Sequence, residues 1–273
     1  MQAFSVSPML LARDVWRNRR LVNNLSQREI VGRYRGSLLG IFWSFLTPLL
    51  MLTVFTFVFG EIFQAKWGAR QASGPLDFAV ALFAGLLVFN LFSECIGRAP
   101  GLIIGNPNYV KKVIFPLETL SLVSLIAGLF HFIAGYVILL LLMLLSSWEI
   151  SWHVVFIPVI LLPFALLILG LSWALSALGV YLRDIGQLIS PLLTALMFLS
   201  PIFYPLSTVD DKFLLIYQAN PLTFITEQVR MVLLENTFPD WTGYLYYSCV
   251  SCLVAFGGYA MFQKTRKGFA DVL

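Results

Sequence analysis

The sequence predicts an all-α integral membrane protein with six transmembrane helices in one domain. Of its 273 residues, 59% are apolar and only 12% are charged, whereas soluble domains carry about 45–50% apolar and about 25% charged residues. Several apolar runs reach the length of about 20 residues that a helix needs to cross a bilayer. These runs are continuous, whereas the strands of a membrane β-barrel would alternate in segments of about 10 residues.

Six apolar runs define the predicted spans in chain order. Proline within them, as at Pro48 and Pro163, is tolerated because neighbouring helices satisfy the freed backbone groups. The fifth run is the shortest and ends at Ser200-Pro201, so we expect its outer end to be irregular or broken. The runs are 39–62, 77–97, 118–145, 154–181, 187–203 and 243–262.

Residues 8–35, which precede the first span, predict an amphipathic helix on the cytoplasmic face of the membrane. Apolar residues such as Trp16 are opposed by arginines such as Arg13 and Arg20, which suits an interfacial position. The helix serves either as a topological anchor alone or also as a contact for a cytoplasmic partner. Residues 1–38 contain seven arginines and no well-formed apolar core, so no cleavable signal peptide is expected.

The distribution of lysine and arginine predicts that both termini are cytoplasmic. Fourteen of the 18 lysines and arginines lie before the first span, in the loop 98–112, in the turn 182–186 or in the C-terminal tail. The same bias accounts for the net charge of +4, so nucleic-acid binding is not predicted. The four basic residues placed on the outer side are Lys66, Arg70, Lys212 and Arg230.

The stretch GNPNYVKKVIFP, residues 105–116, predicts a short cytoplasmic helix between the second and third spans. Asn106 suits a cap and Pro107 suits the first helical position, and Pro116 would end the helix after Phe115. Its apolar stripe either fits a groove on a cytoplasmic protein or lies on anionic lipid. The stripe and its neighbours comprise Asn108, Tyr109, Lys111, Lys112 and Val113.

The segment 204–240, between the last two spans, predicts short helices that re-enter the outer leaflet or cap a cavity. Its apolar pieces of about ten residues are too short to cross a bilayer, and irregular backbone at membrane depth needs protein or water around it. Glu227 and Arg230 are three residues apart and are expected to pair on one helix. The alternative is a plain surface loop.

Ionisable residues are sparse within the predicted spans. Glu94 and Arg98 are four residues apart, which predicts a mutual salt bridge. His131 lies alone in the third span, where packing or a hydrogen bond between helices is favoured over a proton relay. The pair Cys249-x-x-Cys252 has no second pair of ligands, so neither a metal site nor a redox site is predicted.

No motif predicts catalysis or nucleotide binding by this chain. Glu149 and His153 follow the order E-x-x-x-H, not the H-E-x-x-H of a zinc protease. A phosphate-binding loop needs a Gly-Lys dipeptide, which the chain lacks. A secondary carrier would show intramembrane charges and related halves, and neither is visible. Active transport would therefore need an energy source on another chain.

Five stretches, in order, resemble the ABC-2 type permeases that export bacterial polysaccharides. They are REIVGRYRGSLLGIFWSFLTPL at 28–49, NPNYVKKVIFP at 106–116, LGVYLRDI at 178–185, FLSPIFYP at 198–205 and NPL at 220–222. Each stretch alone is weak, but five in register over about residues 25–235 are specific. The subgroup most similar is the O-antigen and teichoic acid exporters, and the capsule branch is less similar around 32–48.

The resemblance implies a half-transporter in the bacterial inner membrane. Two copies of the chain would form a twelve-helix channel and would join two copies of a separate ATPase subunit. ATP and Mg would be bound by that subunit, with no cofactor on this chain. The substrate would be a long glycan on undecaprenyl pyrophosphate, passed outward. The loop 105–116 would dock on the ATPase, and 204–240 would form outer gate helices.

The resemblance also implies the residues of three sites, with no catalytic or metal residue among them. Aromatic side chains suit a glycan path because sugar rings stack on π surfaces, and the channel set is Phe42, Trp43, Phe45, Phe198, Phe203 and Tyr204. The ATPase-coupling set is Asn106, Pro107, Asn108, Tyr109, Lys111, Lys112, Val113, Arg183 and Asp184. Alternatively, Arg183 and Asp184 only close a helix end by local hydrogen bonds. The gate set is Asn220, Pro221, Glu227 and Arg230.

Two alternatives to polysaccharide export stay open. One is an ABC-2 permease for another amphiphile, such as a drug or a lipid. The other is a membrane-embedded glycosyl or acyl transferase, which predicts turnover by the purified chain without an ATPase.

Overall fold

A computed structural model describes residues 8–62, 75–111, 115–145 and 151–273. The regular elements in these ranges are helices. Those of the first half are α1 Pro8–Arg17, α2 Arg19–Tyr34, α3 Trp43–Phe55, α4 Pro75–Arg98, α5 Gly101–Ile104, α6 Pro107–Val110 and α7 Thr119–Leu145. Those of the second half are α8 Ile157–Tyr181, α9 Ile185–Phe198, α10 Leu214–Ala219, α11 Pro221–Leu234, α12 Trp241–Thr265 and α13 Phe269–Val272. Lys66, Arg70, Lys112, Val113 and Glu149, which the sequence analysis singles out, lie outside the described residues.

Five helical stretches are long and apolar enough to cross a membrane, and they match five of the six predicted runs. They are Gly40–Val58, Phe78–Arg98, Thr119–Leu144, Trp152–Tyr181 and Trp241–Val272. The remaining predicted run, 187–203, contains α9, whose 14 residues fall short of the usual spanning length. Helix α9 ends at Phe198, before Ser200-Pro201, where the sequence predicts an irregular end. The sixth crossing itself stays a prediction.

Helix α4 lies at the centre of the bundle and α3 at its margin. In the most apolar window of the stretch Phe78–Arg98, 83% of the residues are buried, whereas the corresponding share for Gly40–Val58 is 11%. The α3 side therefore presents a continuous apolar surface that no other part of the described chain covers. Its most exposed large side chains include Leu50, Met51 and Val54.

Helices α8 and α12 pack against each other through two glycines. A Cβ atom built on Gly170 would lie 2.5 Å from the carbonyl oxygen of Val254, and one built on Gly258 would overlap the backbone of Gly170. Only hydrogen fits at these two positions, so the two backbones approach closely. Small residues at such crossings are typical of helix pairs in membranes, where close van der Waals contact drives association.

The N-terminal segment forms two helices where the sequence predicts one over 8–35. A turn at Asn18 separates α1 from α2, although backbone hydrogen bonds from Asn18 to Asp14 and from Val22 to Asn18 continue across it. The side chain of Asn18 also donates to the carbonyl oxygen of Asp14, at 2.9 Å. This competing side-chain bond is typical of asparagine within helices. Helix α2 packs on α7, with Val22 and Ser26 buried.

The short helix in the stretch 105–116 ends earlier than the sequence predicts. Helix α6 covers only Pro107–Val110, and Phe115 is not helical. The residue before a proline is disfavoured in the α region, and the Phe115 ring instead stacks on Tyr109 with centroids 4.2 Å apart. Asn106 is the N-cap residue and Pro107 begins the helix, as predicted. The Asn106 side chain makes no cap bond, however, and donates to the carbonyl oxygen of Leu102 at 2.9 Å.

Candidate functional site

A cavity of about 580 Å³ opens between the end of α2 and the helices α3, α4, α7 and α9. Its walls are mostly apolar and aromatic, and one end is polar. Pockets of this volume with a few convergent polar groups are typical of ligand sites. The aromatic residues of the walls are Trp43 and Phe55 from α3, Phe83 from α4 and Phe132 from α7.

The polar end is a closed network of four side chains. Arg33 Nη2 donates to Glu94 Oε1 at 2.6 Å, and His131 Nδ1 lies 3.0 Å from both carboxylate oxygens of Glu94. Tyr34 Oη lies 3.0 Å from His131 Nε2. Burial raises the pKa of the Tyr34 hydroxyl, with Arg33 opposing the shift, so Tyr34 is a proton donor at neutral pH. Arg33 Nη1 also lies 3.2 Å from His131 Nδ1.

This network corrects one sequence-based expectation and confirms another. Glu94 does not pair with Arg98, because Arg98 Nη2 donates to Glu29 Oε1. His131 makes the contact between helices that the sequence favours, although its partner is an acidic residue that was not expected near it. Spacing along one helix indicates only partners on that helix, whereas α2 folds over α4 and α7. The sequence does contain a hint of the cross-helix pairing, because Glu29 and Arg33 repeat the spacing of Glu94 and Arg98. In the structure each glutamate pairs with the arginine of the other helix.

The side chains of the network are mostly shielded from solvent, so each charge needs an opposite charge beside it. The side chains of Glu94 and His131 are 16% and 15% exposed, and that of Arg33 is 36% exposed. A carboxylate at this depth needs such partners, because burying it unpaired is costly. Among the described residues, no group of three or more metal-ligating side chains could hold a metal ion.

Of the six predicted channel residues, only Trp43 lines this cavity. Its indole Nε1 donates to Ser37 Oγ at 2.9 Å, which fixes the ring plane. Phe42 and Phe198 are exposed, and Phe45 packs partly against the core. Phe203 is buried and lies between two other rings, that of Phe55 in the cavity wall and that of Phe198. Its centroid is 5.8 Å from that of Phe55 and 5.6 Å from that of Phe198.

Tyr204, the last predicted channel residue, stabilises the bend after α9. Its hydroxyl donates to the carbonyl oxygen of Phe198 at 2.7 Å and lies 2.7 Å from the hydroxyl of Tyr217. Burial, together with this bond to Tyr217, raises the pKa of Tyr204. Its observed contacts therefore connect α9 to the helices of the segment 204–240.

Asn220 and Pro221 begin helix α11, in keeping with the preference for asparagine at the N-cap and for proline at the first helical position. Asn220 Oδ1 accepts the backbone N–H of Leu222 at 2.9 Å, and Pro221 takes the first helical position. The amide of Asn220 also donates to the carbonyl oxygen of Leu199 at 3.0 Å and to Ser200 Oγ at 2.9 Å. Asn220 thus fastens α11 to the end of α9.

Arg230 is the most deeply buried cation in the described chain, with 3% exposure. It pairs with Glu227 at 3.2 Å, as the sequence predicts. It also donates to the carbonyl oxygens of Ala81 at 3.1 Å, of Ile202 at 2.9 Å and of Pro201. One guanidinium therefore joins α4, α11 and the bend after α9, and the fork of five donors makes arginine suited to this.

A profile described as "ABC-2 type transporter" matches residues 20–234. The chain belongs to this family. The O-antigen export system permease protein RfbA of Myxococcus xanthus is 30% identical over 96% of this chain and 98% of its own. A protein of the same name from Klebsiella pneumoniae is 23% identical over 91% and 93%, and the polysialic acid transport protein KpsM of Escherichia coli is 25% identical over 90% and 93%.

The coupling residues predicted for this ABC-2 transporter chain lie around α5, α6 and the end of α8. Tyr109 and Val110 are half-buried against the core, whereas Asn108 and Lys111 are exposed. Arg183 and Asp184 are exposed in the turn between α8 and α9. Asp184 makes no side-chain cap bond at the start of α9. The carbonyl oxygens of Arg183 and Asp184 do accept local backbone hydrogen bonds from Gly186 and Gln187, so the alternative that this turn only closes a helix end stays open.

A residue set that the sequence analysis missed holds the 105–116 stretch in place. Arg266, just after α12, donates from Nη1 to Glu118 Oε2 and from Nη2 to the carbonyl oxygen of Phe115, both at 2.7 Å. The Trp173 indole donates to the carbonyl oxygen of Glu118 at 3.0 Å. The C-terminal tail of this ABC-2 protein therefore braces the chain directly after α6.

Proposed function

We propose that this chain is the channel-forming permease subunit of an exporter that moves lipid-linked polysaccharide outward across the bacterial inner membrane. The observation that carries the proposal is the 30% identity with an O-antigen export permease over 96% of this chain. The cavity supports it, because its aromatic walls suit the C–H faces of sugar rings and its polar end suits hydroxyl or phosphate groups.

The proposed assembly contains two copies of this chain and two copies of an ATPase subunit that binds ATP and Mg. The exposed α3 side offers a face for the second copy, because an exposed apolar helix face in a membrane is covered by lipid or by protein. The substrate proposed for the channel is a glycan on undecaprenyl pyrophosphate. Its path is proposed to begin at the cavity beside Trp43 and to continue past Phe55, Phe203 and Phe198.

Both termini are proposed to be cytoplasmic, on the basis of the positive-inside bias. This orientation puts α6 and the turn at Arg183-Asp184 on the ATPase side, and it puts α10 and α11 on the outer side. The proposed coupling surface is the exposed part of the stretch 105–116, braced by Arg266. The proposed gate is α11, held by Asn220 and by the Glu227–Arg230 pair.

Reconstitution tests this function. The chain and the ATPase subunit encoded beside it are placed in proteoliposomes with a lipid-linked glycan, and protected glycan is measured after ATP is added. We expect export that needs both proteins and ATP. Export of a drug or a lipid without glycan would favour the other ABC-2 substrates. Turnover by the purified chain alone would favour the transferase and contradict the proposal.

A further inference from the structure

A second cavity, of about 260 Å³, lies beneath α2, away from the aromatic walls of the first. It is formed by α2, the end of α4, the α5–α6 turn and the start of α7. The volume is several times the roughly 30 Å³ that one water occupies. Its polar lining consists of Arg28, Glu29, Arg98, Asn106, Tyr109 and Ser124.

Two buried polar atoms in this lining have no hydrogen-bond partner within the part of the chain that the structure describes. They are Arg98 Nη1 and Ser124 Oγ. Ser124 is only 2% exposed, so bulk solvent does not satisfy it. Buried polar groups without a partner are few in native proteins, and each calls for an explanation, such as a bound ion or an ordered water.

The donors identify the charge of the missing partner. A guanidinium offers only hydrogen-bond donors and a hydroxyl offers both, so the shared ligand must be an acceptor. Arg28 and Arg98 contribute two positive charges against one negative charge from Glu29, whose carboxylate already accepts from Arg98. The net positive lining therefore selects an anion.

We infer that this cavity binds a phosphate group. Guanidinium groups bind phosphate through paired, charge-assisted hydrogen bonds. The cavity is covered by a helix of interfacial character, with exposed Val31 on α2 and exposed Trp16 on α1. Basic pockets between helices at the cytoplasmic surface are where lipid headgroups bind. The phosphate belongs either to an anionic phospholipid or to free phosphate.

A phosphate in this position adds a polar contact that several elements share. It contacts α2 through Arg28, α4 through Arg98 and α7 through Ser124, and it lies beside Tyr109 of α6. Its binding therefore fixes α6 relative to the amphipathic helix. The anion content of the membrane would set how firmly the proposed ATPase-coupling stretch is held.

The test uses the purified full-length chain in a neutral detergent. Native mass spectrometry and thermal unfolding record binding of phosphatidylglycerol, of phosphatidylcholine and of inorganic phosphate. We expect phosphatidylglycerol to bind and to raise the unfolding temperature. Binding of inorganic phosphate without a preference for phosphatidylglycerol would identify free phosphate as the source. A preference for phosphatidylglycerol over inorganic phosphate would identify the lipid headgroup.

Two variants and a matched control decide the site. Arg28→Gln and Ser124→Ala should each weaken phosphatidylglycerol binding about tenfold, as expected for a hydrogen bond to a charged group. Arg20→Gln removes an exposed arginine of the same helix that does not line the cavity, and it should leave binding within about twofold. Arg98 is left intact because its removal would leave Glu29 without its partner.

Three outcomes overturn the inference. The first is that neither phosphatidylglycerol nor inorganic phosphate binds. The second is that the Arg28→Gln and Ser124→Ala variants bind like the unmodified chain. The third is that Arg20→Gln weakens binding as much as Arg28→Gln and Ser124→Ala do. The last outcome would show diffuse attraction between a basic helix and anionic lipid instead of a defined cavity.

Discussion

Arg33 donates a 2.6 Å hydrogen bond to Glu94, although 61 positions separate the two residues. Arg98, four residues after Glu94, donates to Glu29, four residues before Arg33. The two ion pairs therefore form an antiparallel ladder that fixes the register of α2 on α4. Since His131 and Tyr34 share the same network, the amphipathic helix is attached to the bundle by polar bonds as well as by Val22.

Replacement of Glu94 by glutamine should loosen the amphipathic helix. The change removes the negative charge that pairs with Arg33 and replaces one of the two acceptor oxygens by an NH2 donor. Because Arg33 is partly exposed, we expect a loss of about 1–2 kcal/mol in the free energy of unfolding. Thermal unfolding and limited proteolysis of α2 measure the effect. Asp211→Asn, at an exposed carboxylate, is the control and should change neither. If Glu94→Gln were as stable as the control Asp211→Asn, the ladder of ion pairs would contribute nothing to the stability of the protein.

Hydropathy was sufficient to predict most of the long helices. Helices α7 and α12 begin and end within three residues of the predicted runs 118–145 and 243–262, because length and apolarity depend on the local sequence alone. The Glu94–Arg33 bond was not predictable from spacing within one helix, because its partner belongs to another. The early end of α6 follows from the Tyr109–Phe115 stack, which is also invisible to local patterns.

Replacement of Arg230 by alanine should destabilise the proposed gate more than any surface change. The variant leaves Glu227 and three carbonyl oxygens without their donor, which we expect to cost about 2–4 kcal/mol. Arg230→Lys keeps the charge but not the fork of donors and should recover part of the loss. Thermal unfolding is the measurement, with Lys212→Ala, at an exposed site, as the control. Wild-type stability of Arg230→Ala would contradict the role of these bonds.

Adjacent glycines of α12 should respond in opposite directions to alanine. A Cβ on Gly258 would overlap the backbone of Gly170, whereas a Cβ on Gly257 meets nothing within 4 Å. Gly257→Ala should stabilise the helix by about 0.5–1 kcal/mol. Gly258→Ala should destabilise the protein by about 1–3 kcal/mol because α8 and α12 must separate. Thermal unfolding of both variants is the measurement, and the same sign for both would refute the close crossing.

Loss of the Arg266 brace should uncouple ATP hydrolysis from export, if the stretch 105–116 docks on the ATPase as proposed. Arg266→Ala frees Glu118 and the carbonyl oxygen of Phe115, so hydrolysis should continue while glycan exported per ATP falls about threefold or more. Lys267→Ala removes the neighbouring positive charge and serves as the control. An unchanged ratio in Arg266→Ala, with normal assembly, would show that the brace plays no part in coupling.

Replacement of Trp43 by alanine should reduce glycan export without changing protein level. Trp43 is the predicted channel residue that lines the larger cavity, and loss of one stacking platform corresponds to about 1–3 kcal/mol per ring when aromatic stacking holds a polymer. We therefore expect export to fall by about tenfold. Tyr204→Ala should also reduce export, but through a looser bend after α9, so its unfolding temperature should fall as well. Phe256→Ala, at an exposed ring of α12, is the control. Normal export by Trp43→Ala would remove this ring from the glycan path and would shift the proposed path to Phe198 and Phe203.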